Sequence, residues 1–209
     1  MKRKYIIGMM SLLCITGCAS VPSLDYDGDE LIHKCSENDL ALFNDNLVVE
    51  IDDEQSFVII DNNNKISEYK NEKVKFNKKE NLNIKTCMFV SYDDIEDNKF
   101  GTSTPLVFSS AVTDLVKVRM NGEYSYRIKN IEKYIDYHGG DDFLSLAIRT
   151  NIISVYSDYI RNNYPATSME ELLSKKELNN TELNEVNKKI AEYGIEVTEV
   201  DIESASIIK

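Results

Sequence analysis

The sequence predicts an α+β fold: an antiparallel or mixed sheet, followed by helices and one final strand. Three observations carry this. Val116 to Ile128 alternates almost perfectly, with Val116, Val118, Met120, Tyr124, Tyr126 and Ile128 on one side and Lys117, Arg119, Asn121, Glu123, Ser125 and Arg127 on the other. Period two sustained this long marks a strand with one wet face. From Asp141 to about Asn162, Leu144, Ile148, Ile152, Val155 and Tyr159 recur every three to four positions, the stripe of an amphipathic helix. After Gly194, Ile195 to Ile202 returns to strand alternation.

The N-terminus has a different character. Residues 1–4 are Met-Lys-Arg-Lys, and residues 5–16 form an uncharged apolar run. A basic start and a run shorter than the ~20 residues of a spanning helix read as a secretory signal. The run ends in Ile15-Thr16-Gly17-Cys18. That tetrapeptide resembles the lipobox of bacterial lipoproteins, which implies cleavage after Gly17 and lipidation of Cys18. An ordinary signal peptide and an uncleaved anchor are the alternatives. One acyl chain holds a protein to a bilayer only marginally, whereas several chains on one cysteine make a lasting anchor. Ala19, not an aspartate, follows the cysteine. An extracytoplasmic location follows, on the periplasmic face of the outer membrane if the host has two membranes.

Charge narrows the partners. The chain carries 24 Lys+Arg against 36 Asp+Glu, a net charge of −12. Loss of Lys2, Arg3 and Lys4 with the signal takes this to −15. Such a chain is repelled by nucleic acid and by anionic headgroups, so nucleic acid is not an expected partner. Cys14 would leave with the signal and Cys18 would carry lipid, so Cys35 and Cys87 remain. Two leftover cysteines in an oxidising compartment suggest a disulfide. A zinc pair is a rival, although no CxxC or Cys/His cluster supports it; two free buried thiols are another.

The chain divides into a signal peptide over 1–17, a lipidated tether over 18–30, a β-rich part over 31–104 and an α+β part over 105–209. The tether is polar, and Asp25, Asp27 and Asp29 alternate there like the start of a calcium loop. Its glycine is misplaced and Ser36 stands where a closing glutamate belongs, so a solvated linker is the better reading. Residues 47–51, 57–60 and 86–90 are short apolar runs separated by turn-rich pieces, and read as strands. Residues 93–104 are charged and then small, and read as a loop. Gly122 marks a bulge or bend in the long strand. Asn130 caps a short helix over Ile131, Tyr134 and Ile135, and Gly139-Gly140 breaks it. Asp141 and Asp142 suit the positive end of the next helix. Ser168-Met169-Glu170-Glu171 reads as a capping box. A last helix carries Leu183, Val186, Ile190 and Tyr193, and Gly194 closes it in the left-handed conformation. The apolar phase slips between Val197 and Val200, which places a bulge there.

Three of these pieces carry a resemblance: Thr113-Asp114 with the alternating strand to Tyr126-Arg127-Ile128, then Ala147-Ile148-Arg149, then Tyr193-Gly194-Ile195-Glu196-Val197 with Val200-Asp201-Ile202. In that order, residues 109–203 resemble the band 7 domain, also called SPFH, of stomatins, prohibitins, flotillins and bacterial modulators of a membrane protease. The resemblance implies a non-enzymatic, membrane-associated scaffold or modulator that self-associates, with Arg149, Tyr193, Gly194 and Ile195 as structural motif positions. Family members usually continue into a long coiled coil, whereas this sequence ends at Lys209.

Catalysis finds little footing. His33 lies near Cys35, but an activated thiolate needs a base in space and an electropositive setting. His138 reads as a loop residue and Arg149 as a structural ion-pair partner. No GxSxG, HExxH or P-loop pattern occurs. No catalytic residue, metal or cofactor is expected. The expected function is a lipid-anchored band 7-like scaffold or modulator of envelope proteins, whose protein partners the sequence does not name. The runner-up is an inhibitor or immunity-type lipoprotein of unrelated α+β fold using its acidic face. An envelope hydrolase comes third.

Overall fold

The computed structural model describes residues 21–28, 30–70, 72–78, 83–110, 113–137, 141–164 and 166–208. The signal segment, Cys18, Asp29, His138, Gly139, Gly140 and Pro165 lie outside them.

The N-terminal half is a layered β structure. β1 (Ser23–Leu24), β3 (Leu47–Glu50) and β6 (Lys73–Phe76) form one small sheet, in the order β1-β3-β6. β2 (Ile32–Lys34), β4 (Gln55–Asp61), β5 (Ile66–Tyr69) and β7 (Ile84–Ser91) form a second, in the order β2-β7-β4-β5. A capped helix α1 (Glu37–Leu42) lies between β2 and β3, with Ser36 and Asp39 forming its capping box. Because side chains alternate across a strand, β4 and β7 serve two layers at once. Phe57, Ile59, Cys87 and Phe89 pack with Leu47, Val49 and Phe76 of the first sheet and with Ile51 just after β3. Val58, Ile60, Met88 and Val90 pack on the other face against Ile128 and Ile131. This two-sided burial is why residues 57–60 and 87–90 read as continuous apolar runs rather than alternating ones. The tether reading gave Ser23–Leu24 no element, but these residues pair parallel to Val48–Val49 and Leu24 is buried, so that stretch is partly docked.

The C-terminal half is built on β10 (Thr113–Ile128), which pairs antiparallel with β11 (Ile195–Ile208) on one side. On its other side it pairs with β8 (Ile95–Gly101) and β9 (Leu106–Ser110). Residues 95–101 are therefore a strand, not the loop their charge suggested. Pairing with 121–126 of β10 overrides the poor strand propensity of Glu96, Asp97 and Asn98, and Asp97 sits at a φ of 60° where the ladder breaks step.

Four helices follow or interrupt these strands: α2 (Ile131–Asp136), α3 (Asp141–Asn163), α4 (Met169–Leu173) and α5 (Asn180–Ile190). Val118, Ile148, Ile152, Ile190 and Ile195 are buried in one cluster, with Tyr126 packed against it. Two α3 residues outside the sequence stripe, Tyr156 and Ile160, are also fully buried. Burial pushes the Tyr156 hydroxyl up to about 12. The capping at α4 is half of what the sequence suggested: Ser168 accepts from Glu171 N, and the structure records no reciprocal bond. The full box occurs instead at α5, where Asn179 accepts from Thr181 N and Glu182 N and Glu182 accepts from Asn179 N.

Candidate functional site

The most structured surface feature is the junction between α5 and β11. A 3₁₀ turn, Ala191–Tyr193, carries the chain out of α5, and Gly194 turns it at a φ of 72°. Few residues but glycine adopt that conformation without strain. The Gly194 carbonyl accepts from both Lys129 N (2.8 Å) and Asn130 N (2.9 Å), tying the end of β10 to the start of β11. Ile195 then enters the core and Tyr193 packs edge-on against Tyr137, with ring centroids 4.3 Å apart. Burial, with Tyr137 and Glu192 beside it, pushes the Tyr193 hydroxyl up to about 12.

Two residues whose roles the sequence did not show secure this junction. Asn187, on α5, donates to Val197 O (2.9 Å) and accepts from Val197 N (2.7 Å), so its amide stands in for a strand partner. Its only sequence signal is a polar residue in an amphipathic helix. Glu196 accepts from Arg127 Nε (2.9 Å) and Nη2 (2.6 Å) and from Lys129. Burial pushes the Glu196 carboxyl up, but the hydrogen bonds from Lys129 and Arg127 outweigh it and hold it below the ordinary carboxylate range. A depressed carboxyl contributes stability above its unfolded pKa of about 4.3, which is lost as pH falls through the folded value. Glu196→Gln should therefore cost about 1 kcal/mol at pH 7 and nothing once the pH is below the folded pKa. Unfolding curves of wild type and variant across pH 2–7 check this; a pH-independent difference would assign the loss to packing instead.

Beside the junction lies an open groove of about 650 Å³, whose lining includes Lys129, Lys133, Asn184, Asn187, Lys188 and Glu196. Lys133 Nζ donates to Ala191 O at 3.2 Å and Lys188 pairs with Glu185 at 2.6 Å. The lining offers ammonium, carboxylate and amide groups, with neither thiol nor imidazole among them. That chemistry suits docking of polar groups.

The remaining sequence candidates are dispersed. Arg149 is half-buried on α3 and its Nε donates to Ser145 O at 3.1 Å. This is a bond to the helix backbone, and no ion pair of Arg149 appears among the described residues. Ser145 Oγ in turn lies 3.2 Å from Tyr124 on β10, joining the helix to the sheet. Cys35 and Cys87 face each other as a disulfide across β2 and β7, with Cα atoms 5.4 Å apart and Cys35 N donating to Cys87 O at 2.9 Å. His33 stacks on Tyr26 at 4.0 Å and its Nδ1 lies 3.0 Å from Glu30, away from any thiolate role. Glu170 and Glu171 sit in the first turn of α4, as the helix dipole favours. Among the described residues, no group of three or more His, Cys, Asp and Glu is placed to hold a metal. No described helix is long and apolar enough to cross a membrane.

These features define a class: a small α+β domain in which a long antiparallel strand pair, β10–β11, is connected through a helix layer and locked by a glycine junction. The family model described as "SPFH domain-Band 7 family" matches residues 62–209, and the chain belongs to that family. The match begins upstream of the 109–203 resemblance and takes in β5 to β9 as well. Comparison with curated proteins gives no match.

Proposed function

We propose that this chain is a lipid-anchored, non-enzymatic scaffold that organises or modulates other proteins of a bacterial envelope. The observation that carries the reading is family membership over 62–209. Membrane association and self-association are typical of this family, and its members are generally not enzymes. The runner-up required an unrelated fold, and the family match sets it aside. Lipid at Cys18 would supply the membrane attachment, followed by a short tether into β1. The Cys35–Cys87 pair suits an oxidising compartment. In this reading 1–17 is the signal, the lipidated stretch from Cys18 leads into β1, and the band 7 part expected over 105–209 reaches back to residue 62, into the β-rich part expected over 31–104.

Cys18→Ser should release the protein from membranes or leave it unprocessed, and metabolic labelling with an acyl precursor should mark the wild type only. Equal labelling and equal membrane partition of both forms would end the lipoprotein reading. Self-association is tested separately, by sedimentation of the full chain in mild detergent; a monomer at every concentration would end the scaffold reading.

A further inference from the structure

We propose that the last part of β11, Ser204–Ile208, is a docking edge for a second copy of this chain, pairing antiparallel about a two-fold axis. The proposal rests on the scaffold reading and names the surface through which it would act.

One edge of β11 is consumed by β10 through Lys117–Ile128. The other is covered selectively. Asn187 occupies Val197. Leu178 N donates to Val200 O at 3.3 Å, Ile202 N to Lys176 O at 2.6 Å, and Lys176 Nζ to Glu203 O at 3.2 Å. Past Glu203, among the described residues, β11 pairs with no strand but β10. An uncovered edge presents N–H and C=O groups to any incoming strand, and proteins ordinarily blunt such edges with charge, proline or a bulge. Ser204-Ala205-Ser206-Ile207-Ile208 holds no charge and no proline. The covered part differs sharply, since Glu196, Glu199, Asp201 and Glu203 all fall in it.

Charge limits where two copies can meet. Two copies of a chain with net charge −12 repel one another over most of their surfaces. Like charges directly opposite in a ladder are destabilising. Antiparallel pairing of this neutral segment with itself brings Ile207 and Ile208 of each copy beside the small residues Ser204 and Ala205 of the other, with no charge opposed.

Apolar exposure points to the same end of the sheet. Ile207, opposite Val118 on the core face, is 43% exposed. On the outer face, Val107, Lys117 and Ile208 form one row across three strands, and Leu115 stands next to it. Val107 is 50% and Leu115 68% exposed. Leu115 belongs to the part of β10 that lies beyond the β11 register.

The test uses the full chain in mild detergent. Sedimentation equilibrium should show a dimer for the wild type, and Ile207→Lys, which replaces the apolar contact with Ala205 of the other copy by an ammonium and sets the two ammonium groups diagonally across the axis, should raise its Kd by roughly 100-fold or more. Ser206→Cys should be captured copy-to-copy by a short bismaleimide, and Glu170→Cys on α4 should not. If Ile207→Lys fails to fold, the Ser206→Cys capture decides alone. A wild type that stays monomeric overturns the proposal together with the scaffold reading. Self-association unchanged by Ile207→Lys, without Ser206→Cys capture, overturns this edge and leaves the scaffold reading standing. Capture of a different protein through Ser206→Cys in envelope preparations, with no homodimer, assigns the edge to a foreign strand and overturns the second-copy proposal.

Discussion

Gly194→Val should destabilise the protein by about 4 kcal/mol, combining the strain of a β-branched residue at positive φ with overpacking of the junction. The backbone there sits at a φ of 72°, in the region that L side chains rarely adopt. Space is also lacking. A Cβ at Gly194 would collide with the carbonyl of Asn130 and would come 2.5 Å from Tyr134 N, and both are backbone atoms that cannot rotate away. Relief would require moving the start of α2, and with it the two bonds that Lys129 N and Asn130 N make to the Gly194 carbonyl. Against a typical net stability of ~5–15 kcal/mol, that is a large share. Denaturant unfolding of the purified chain measures it, with the midpoint falling at an unchanged slope. A loss below about 1 kcal/mol would show that the junction relaxes freely and would remove its structural role. Gly122 provides a second case with a different cause. It lies where the β10–β11 register slips between Asn121 and Glu123, and its Cβ would meet the carbonyl of Asp201 and the ring of Phe100. Here crowding against a backbone carbonyl operates without positive φ, so Gly122→Ala should destabilise by displacing the β11 backbone around Asp201.

Opening the Cys35–Cys87 bond should lower stability by about 4 kcal/mol, the loop-closure entropy that a cross-link across 52 positions removes from the unfolded chain. The bond holds the chain after β2 onto β7, and Cys87 is fully buried among Phe57, Ile59 and Phe89. Local consequences should be uneven. β2, three residues long and at least partly exposed, depends on the staple, whereas the β10–β11 pair has its own core. Amide hydrogen exchange should therefore rise first in residues 32–35 of the reduced protein, ahead of residues 116–128. The equilibrium measurement compares oxidised protein with Cys35→Ala/Cys87→Ala. Thiol counting on non-reduced, denatured protein should find neither cysteine free. Two titratable thiols there, or equal stabilities of the two forms, would remove the staple and with it one support for export, without touching the lipobox at Cys18.

The legibility of the candidate site follows a physical divide. Gly194 could be read because a glycine directly after a helical stripe and before a strand has one common explanation, a left-handed helix end. The slip between Val197 and Val200 could be read because a bulge leaves a phase change in the apolar pattern, and the ladder does shift there, between Ser125 and Tyr126. Asn187 and Glu196 could not be read as partners of the strand. Each acts through a neighbour whose position depends on how α5 and β10 come together, and an amide or carboxylate on an exposed face has many fates.

By itself the sequence determined the local elements whose periodicity reflects one wet and one dry face: the strand from Val116 to Ile128, the helix behind Ile148 and Ile152, and the glycine-closed turn into the final strand. It also carried the family, because those pieces stand in a fixed order. Tertiary structure alone decided the rest. Residues 95–101 became a strand because β10 offered an unpaired edge, which outweighed the charge of the segment. β4 and β7 became a middle layer because apolar groups approach from both sides, a fact that a continuous apolar run is compatible with but does not specify. The covering of β11 is likewise a tertiary outcome: among the described residues, Asn187 and residues 176–178 reach its first half and stop at Glu203. Periodicity records which side of an element is dry, and only packing determines which neighbour makes it so.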